Sequence, residues 1–152
     1  MAVPVCVDIL ELIMLVAHRS RLAFEESCAS DEFVAHEVLL LRALLRIGQN
    51  KTGRELARAL GWSPGRVTQV IDALVAKDQV VRAPRRGRIR PLSINGRGAN
   101  EASGGVGILR QVGDVLVAGL DEAETRALRE ALRKLAEQSE GLWRIKRNVD
   151  GS

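Results

Sequence analysis

The chain has 152 residues, with 23 Lys and Arg against 19 Asp and Glu, and it is 46 % hydrophobic and 28 % charged. That length suits one ordinary domain or a small module with helical extensions. Two Phe, two Trp, two Cys and two His are too few for a single-strand stacking platform or a disulfide framework, and they make a zinc site an unpromising reading.

The N-terminus opens without a basic leader region, and the apolar run over residues 12–17 is too short to span a bilayer. A cytoplasmic protein with no membrane partner is the expectation. A first helix is expected over residues 3–28, with Pro4 in its first turn. Val5, Val7, Ile9, Leu10, Leu12, Ile13, Met14, Leu15 and Val16 make an apolar arc wider than a one-sided surface helix needs. It predicts two buried faces, one against its own domain and one against a partner.

Ala29-Ser30-Asp31 reads as a break, and Ser30 or Asp31 as the cap of a second helix reaching about residue 46. Phe33, Val34, Val38, Leu39, Leu41, Leu44 and Leu45 are its apolar positions, and Gly48-Gln49-Asn50 ends it. Thr52 then caps a third helix, with Glu55 at capping-box spacing and Leu56, Ala57, Ala59 and Leu60 on the inner face. Gly61-Trp62 breaks it. Ser63 caps a fourth helix running to about residue 77, with Pro64 at its first position. Val67, Val70, Ile71 and Leu74 face the core, while Arg66, Thr68, Gln69 and Asp72 fall on other faces.

Residues 80–82 and 88–94 alternate like strands, joined by a tip over 83–87 with Pro84 and Gly87 as turn residues. Asn95-Gly96 marks the exit into a fifth helix reaching about residue 120. Gly104, Gly105, Gly107 and Gly113 lie within it. Each costs up to about 1 kcal/mol against Ala, so the first half of this helix is expected to be weak or bent. A hinge at Gly104, Gly105 and Gly107 is one reading; a plain loop or frayed helix start is the other. Asp121 caps a last helix, with Glu124 at the box position and a stripe of Leu128, Leu132 and Leu135. The tail after Gly141 is basic, and Leu142 and Trp143 are candidates to dock on a partner.

Helix, tight turn, helix and basic hairpin form the plan of a winged helix-turn-helix, so the fold class is mainly α with a small β component. Residues 51–100 hold eleven Lys and Arg against three acids, a formal +8, whereas the whole chain carries +4. Such a concentrated positive field is a footprint for phosphate binding with counterion release; the alternative is a solvated basic face.

The motifs resemble the MarR family of dimeric winged helix-turn-helix transcription regulators, over nearly the whole chain. T-G-R-E-L-A-R-A-L-G (52–61) is similar to the family's "t-x-x-E-L-A-x-x-L" helix, and S-P-G-R-V-T-Q-V-I-D-A-L-V-A-K-D (63–78) to its recognition helix. R-R-G-R-I-R-P-L-S-I-N-G (85–96) resembles the wing, and L-D-E-A-E-T-R-A-L (120–128) the start of the last helix. Three positions depart from the pattern. Pro84 stands where the wing's Asp usually holds an arginine, and Asp78-Gln79 replaces a Gly-Leu pair. The segment between Arg82 and Arg85 is also shorter than usual.

The resemblance implies one domain over 1–152, with a DNA-binding module at 30–98 and dimerisation helices at 3–28 and 99–145. It implies a homodimer that binds double-stranded DNA at a palindromic operator, sequence-specifically, as a ligand-responsive repressor. Thr68 and Gln69 match positions that touch base edges, and Arg66 would take a phosphate or a guanine. Ser63 would both cap the helix and bond a phosphate. Arg86 is the minor-groove candidate, with Arg85 and Arg88 on phosphates.

An anionic or phenolic effector would meet His18, Arg21 and Arg46, with His36 and Arg42 as further candidates; surface pairing with Glu25, Glu26 or Glu37 is the alternative for each. Cys6 and Cys28 admit a redox reading, against which stands the ordinary behaviour of thiols as small hydrophobes. No convergent acid–base pair, phosphate loop or metal cluster is visible, so neither an enzyme nor a cofactor is expected. The competing functional reading is a winged-helix interaction module that binds protein or nucleic acid without sequence preference.

Overall fold

The computed structural model describes residues 2–142. Among them are α1 (Val5–Ser30), α2 (Ala35–Ile47), α3 (Gly53–Leu60), α4 (Pro64–Ala76), β1 (Val80–Arg82), β2 (Leu92–Ile94), α5 (Gly96–Val117) and α6 (Glu122–Ser139). The architecture is mainly α with one small sheet. The chain divides into two compact units, Met1–Gly113 and Asp114–Ser152.

In the first unit, α1 starts one residue after Pro4, which stands at the N-cap rather than inside the first turn. Phe24 and Cys28 are its buried residues, and they join Ala35, Val38 and Ile108 in a satellite cluster. The apolar residues from Val5 to Val16 are all exposed. Neither Ser30 nor Asp31 caps α2. Ser30 is the last residue of α1 and its hydroxyl donates to the Glu26 carbonyl at 3.1 Å, while Asp31 closes that helix. The chain turns through Glu32, at φ 62°, and Phe33 N–H donates back to the Cys28 carbonyl at 2.8 Å. Helix α2 begins at Ala35 after an extended Val34 with no side-chain cap, so Phe33 and Val34 precede the helix. Gly48, at φ 97°, ends it.

The main core gathers one face from each short element. Leu40, Leu41 and Leu44 come from α2, Leu56 from α3, and Val67, Ile71 and Leu74 from α4; Val80, Leu92 and Ala102 complete it. Fully burying one such aliphatic side chain stabilises by roughly 1.5–3 kcal/mol. Ala59 and Leu45, expected inside, are exposed. The capping box of α3 forms: Glu55 N–H donates to Thr52 Oγ1 at 3.2 Å, and Thr52 N–H donates to Glu55 Oε2 at 2.8 Å. Gly61, in the left-handed region at φ 66°, stops the helix, and Trp62 N–H donates to the Ala57 carbonyl at 3.1 Å. Four residues later the chain is inside α4, with Ser63 as cap and Pro64 at the first position.

The wing is smaller than its alternation predicts. β1 and β2 pair antiparallel with Val80 opposite Ile94 and Arg82 opposite Leu92. Pro91 has no N–H for a ladder, so regular pairing stops at Leu92. Ala83 N–H still donates to the Pro91 carbonyl at 2.8 Å. The tip is a two-residue turn, Gly87-Arg88, closed by reciprocal bonds between Arg86 and Ile89 at 2.8 and 3.2 Å. Gly87 supplies the positive φ, 66°, that this turn requires. Pro84 lies outside it. Lys51 adds a third edge, since Leu92 N–H donates to its carbonyl at 2.8 Å. Asp78, in the place of the family's glycine, adopts φ 56°; Asp tolerates that region better than most side chains.

Helix α5 starts with Asn95 Oδ1 accepting from Gly98 N–H at 3.0 Å and runs unbroken through its glycines. A plain loop or a frayed helix start is therefore not what the glycines make. Gly104 and Gly105 let α5 lie against Phe33 and Val38: a Cβ would stand 2.6 Å from Phe33 Cζ and 2.2 Å from Val38 Cγ1. Gly107 and Gly113 face open space.

In the second unit, Asp121 and Glu124 close a capping box at 2.8 and 2.9 Å. No residue of α6 is buried, and Leu128, Leu132 and Leu135 form an exposed stripe. Leu142 is exposed, and Trp143 lies outside the described residues. No described helix is long and apolar enough to cross a membrane.

Candidate nucleic-acid interface

The first turns of α4 carry the candidates for base and backbone contact. Val67, Ile71 and Leu74 anchor the inner face of the helix, so Arg66, Thr68 and Gln69 are forced outward. Ser63 Oγ accepts from Arg66 N–H at 3.3 Å, which leaves its own O–H to donate. Thr68 donates its hydroxyl proton inward, to the Pro64 carbonyl at 3.0 Å. With that proton engaged, the side chain suits a thymine methyl or a base amino group better than a phosphate. Gln69 is exposed one position further on. Its amide carries both donors and acceptors, the requirement for pairing with adenine.

Asp72, the acid on this helix, is ion-paired with Arg82 of β1. The pair neutralises the one carboxylate of α4 and ties the helix to the base of the wing. It also uses Arg82 inside the module, a role its place in the sequence alone does not reveal. At the C-terminal end Lys77 Nζ donates to Glu37 Oε2 of α2 at 2.6 Å.

Arg85, Arg86, Arg88 and Arg90 are exposed around the wing tip. The bonds between Arg86 and Ile89 bring Arg85, Arg86 and Arg88 together on one tight turn. Arg90 Nε donates to the Ala83 carbonyl at 3.4 Å.

The residues considered for an effector are only partly gathered. His18 Nδ1 and Arg21 Nη2 are 3.4 Å apart on exposed turns of α1, and Arg21 also donates to Glu25 at 2.9 Å, the surface pairing weighed as the alternative. Arg46 is exposed in the last turn of another helix, α2. Cys28 is buried, and its thiol pKa is raised, first by burial and then by Asp31; both oppose a reactive thiolate. Cys6 is exposed.

The turn between α3 and α4 holds a cation–π contact that no motif in the sequence marks. The Arg66 guanidinium lies 5.7 Å from the Trp62 ring centroid, over its face. His36 of α2 meets the same ring edge-on, with centroids 5.5 Å apart and planes at 75°. The spacing of Trp62 and Arg66, four residues apart and flanking a helix cap, was the available signal.

No protein-family model and no curated protein matches the sequence. Solved structures do. A MarR-family transcriptional regulator from Rhodococcus sp. RHA1 aligns at a TM-score of 0.79 and 16 % identity, over 89 % of this chain and 96 % of that one. The regulator BpsR of Bordetella bronchiseptica, whose DNA binding is regulated by 6-hydroxynicotinic acid, aligns at 0.74 and 21 %, over 85 % and 98 %. The organohalide-sensing regulator RdhR in its 2,4-dichlorophenol-bound form aligns at 0.74 and 16 %, over 93 % and 85 %. At these identities the likeness establishes the fold, a MarR-like winged helix.

Proposed function

We propose that this MarR-like winged-helix chain is a sequence-specific, double-stranded-DNA-binding transcription regulator that acts as a homodimer in the cytoplasm. The observation that carries the reading is the joint exposure of Ser63, Arg66, Thr68 and Gln69 on α4 and of Arg85, Arg86 and Arg88 on the wing tip, within a segment of net charge +8. A helix of this kind enters the major groove while the wing follows the backbone. Arg86 enters the minor groove and Arg85 and Arg88 hold phosphates.

Residues 30–98 form the DNA module, and 3–28 with 99–145 the dimerisation segments, of which 143–145 lie outside the described residues. The exposed apolar residues Val5 to Val16, and separately Leu128, Leu132 and Leu135, exceed what a monomer leaves bare. Two-fold symmetry then calls for a palindromic operator with half-sites about 34 Å apart. The similar RdhR structure holds 2,4-dichlorophenol, and DNA binding by BpsR is regulated by 6-hydroxynicotinic acid, which supports release of a repressor by an anionic or phenolic effector, with His18, Arg21 and Arg46 as its candidate contacts.

Selection of bound sequences from a random duplex pool tests the reading, with sedimentation at micromolar concentration alongside. A palindromic motif and a mass twice 16.6 kDa are the expected results. Salt-sensitive binding with no selected motif would replace this reading with a non-specific winged-helix interaction module, and a stable monomer would remove the palindrome.

A further inference from the structure

We propose that Trp62 is a positioning residue for Arg66, holding the guanidinium ready for paired acceptors at the N-terminal end of α4. The inference rests on the DNA-binding reading above and assigns Trp62 and His36 a part in it.

The geometry begins with the backbone. Gly61, at φ 66°, reverses the chain, and the bond from Trp62 N–H to the Ala57 carbonyl at 3.1 Å locks the next residue. The indole is half-buried and packs against the main core. His36, fixed on α2, abuts it edge-on at 5.5 Å, the arrangement favoured by an aromatic quadrupole. The ring is thus held from three sides and exposes one face. Above that face, at 5.7 Å, lies Arg66, whose own backbone N–H is held by the Ser63 cap at 3.3 Å.

A guanidinium attracted to a ring is held by the ring quadrupole acting on its charge, and spends no hydrogen bond on the contact. Its N–H donors lie in the plane of the group and stay available along the edge. The contact therefore removes side-chain freedom without consuming the hydrogen bonds needed for a bidentate acceptor pair. Arg88 at the wing tip stands in contrast, on an exposed two-residue turn. Paired acceptors are found on a phosphate and on the O6/N7 edge of guanine. Both sources fit the shared chemistry, and the experiment separates them.

The test is a double-mutant cycle on the selected operator with Trp62→Leu, Arg66→Ala and both together. With Arg66 present, Trp62→Leu should weaken binding about three- to tenfold, in line with an interaction of this type. With Arg66 absent, the same change should cost under about twofold, because coupled residues are not additive. Trp62→Phe, which keeps a ring face, should recover most of the loss. If Arg66 meets guanine, Arg66→Ala relaxes preference at one base position, and Trp62→Leu does so at the same position. If it meets phosphate, both weaken all sequences alike and lower the salt slope. Equal losses in the two backgrounds would mean that Trp62 acts only through the core, and would overturn the proposal.

A DNA-free measurement keeps the two readings distinguishable. In a Trp143→Phe background Trp62 is the single tryptophan, and its emission should change on Arg66→Ala. An unchanged spectrum overturns the stacking itself. A changed spectrum in a protein that selects no DNA motif would instead remove the regulator reading.

Discussion

Gly105 and Val38 approach so closely that a Cβ built on the glycine would stand 2.2 Å from Val38 Cγ1. Both residues are buried, one on α5 and one on α2, so neither has room to retreat. The glycine is a packing device between two helices. Gly105→Ala should therefore destabilise by about 1–3 kcal/mol, as overpacked cores do. Gly107→Ala, two residues on and facing open space, should instead stabilise by up to about 1 kcal/mol. Thermal unfolding of the two variants checks the contrast; equal shifts of the same sign would refute it.

The pair between Lys77 and Glu37 joins the end of α4 to α2. Glu37 has a side chain only 10 % exposed, whereas that of Lys77 is 47 % exposed. Lys77→Ala strands a carboxylate in a poorly solvated place and should cost about 1–2 kcal/mol, less than for a fully buried pair because water reaches the lysine side. Glu37→Leu combined with Lys77→Leu removes both charges and should recover part of that loss. A double variant no more stable than Lys77→Ala in urea titration would contradict the account.

The capping box of α3 makes stability depend on pH. The Glu55 carboxyl is held below its ordinary value of 4.5, first by the hydrogen bond from Thr52 N–H, against an opposing desolvation and with help from the Thr52 hydroxyl and the charge of Lys51. A carboxylate with a lowered folded pKa contributes fully above its unfolded value, and that contribution is lost as pH falls through the folded one. Wild type should thus lose more melting temperature on acidification below pH 4.5 than Glu55→Gln does. Parallel melting curves across the carboxylate range would show that the box has no electrostatic part.

The proposed DNA-binding role predicts two kinds of contact. Gln69→Ala should relax preference at one operator position, at a cost of about 1–3 kcal/mol. Arg88→Ala should weaken all duplexes nearly equally and reduce the salt slope by about one for each phosphate lost. An unchanged selected motif in Gln69→Ala would mean that α4 is not seated in the groove as proposed.

Local order was legible in the chain because its causes are local. Thr52 with Glu55, Ser63 with the Arg66 N–H, and Asp121 with Glu124 form the caps of these helices, since each cap needs partners only three residues apart. The core faces of α3 and α4, anchored by Leu56, Val67, Ile71 and Leu74, follow from helical periodicity in the same way. The order of these elements with a basic hairpin was enough to specify a winged helix.

Long-range steric and electrostatic relations were left to the tertiary structure. Glycines in a helix read as weakness until Phe33 and Val38, more than sixty positions earlier in the numbering, are seen to occupy the space a side chain would need. Ser30 and Asp31 look like caps, but the competing bonds that finish α1 claim that stretch instead. Arg82 counts toward a positive field until Asp72 is found beside it. Trp62 shows its use only when His36, brought in on α2, and Arg66 meet its ring. Periodicity and capping depend on neighbours within a turn or two, so the sequence alone determines them. Close approach and charge pairing depend on which distant residues share a space, and only the folded chain decides that.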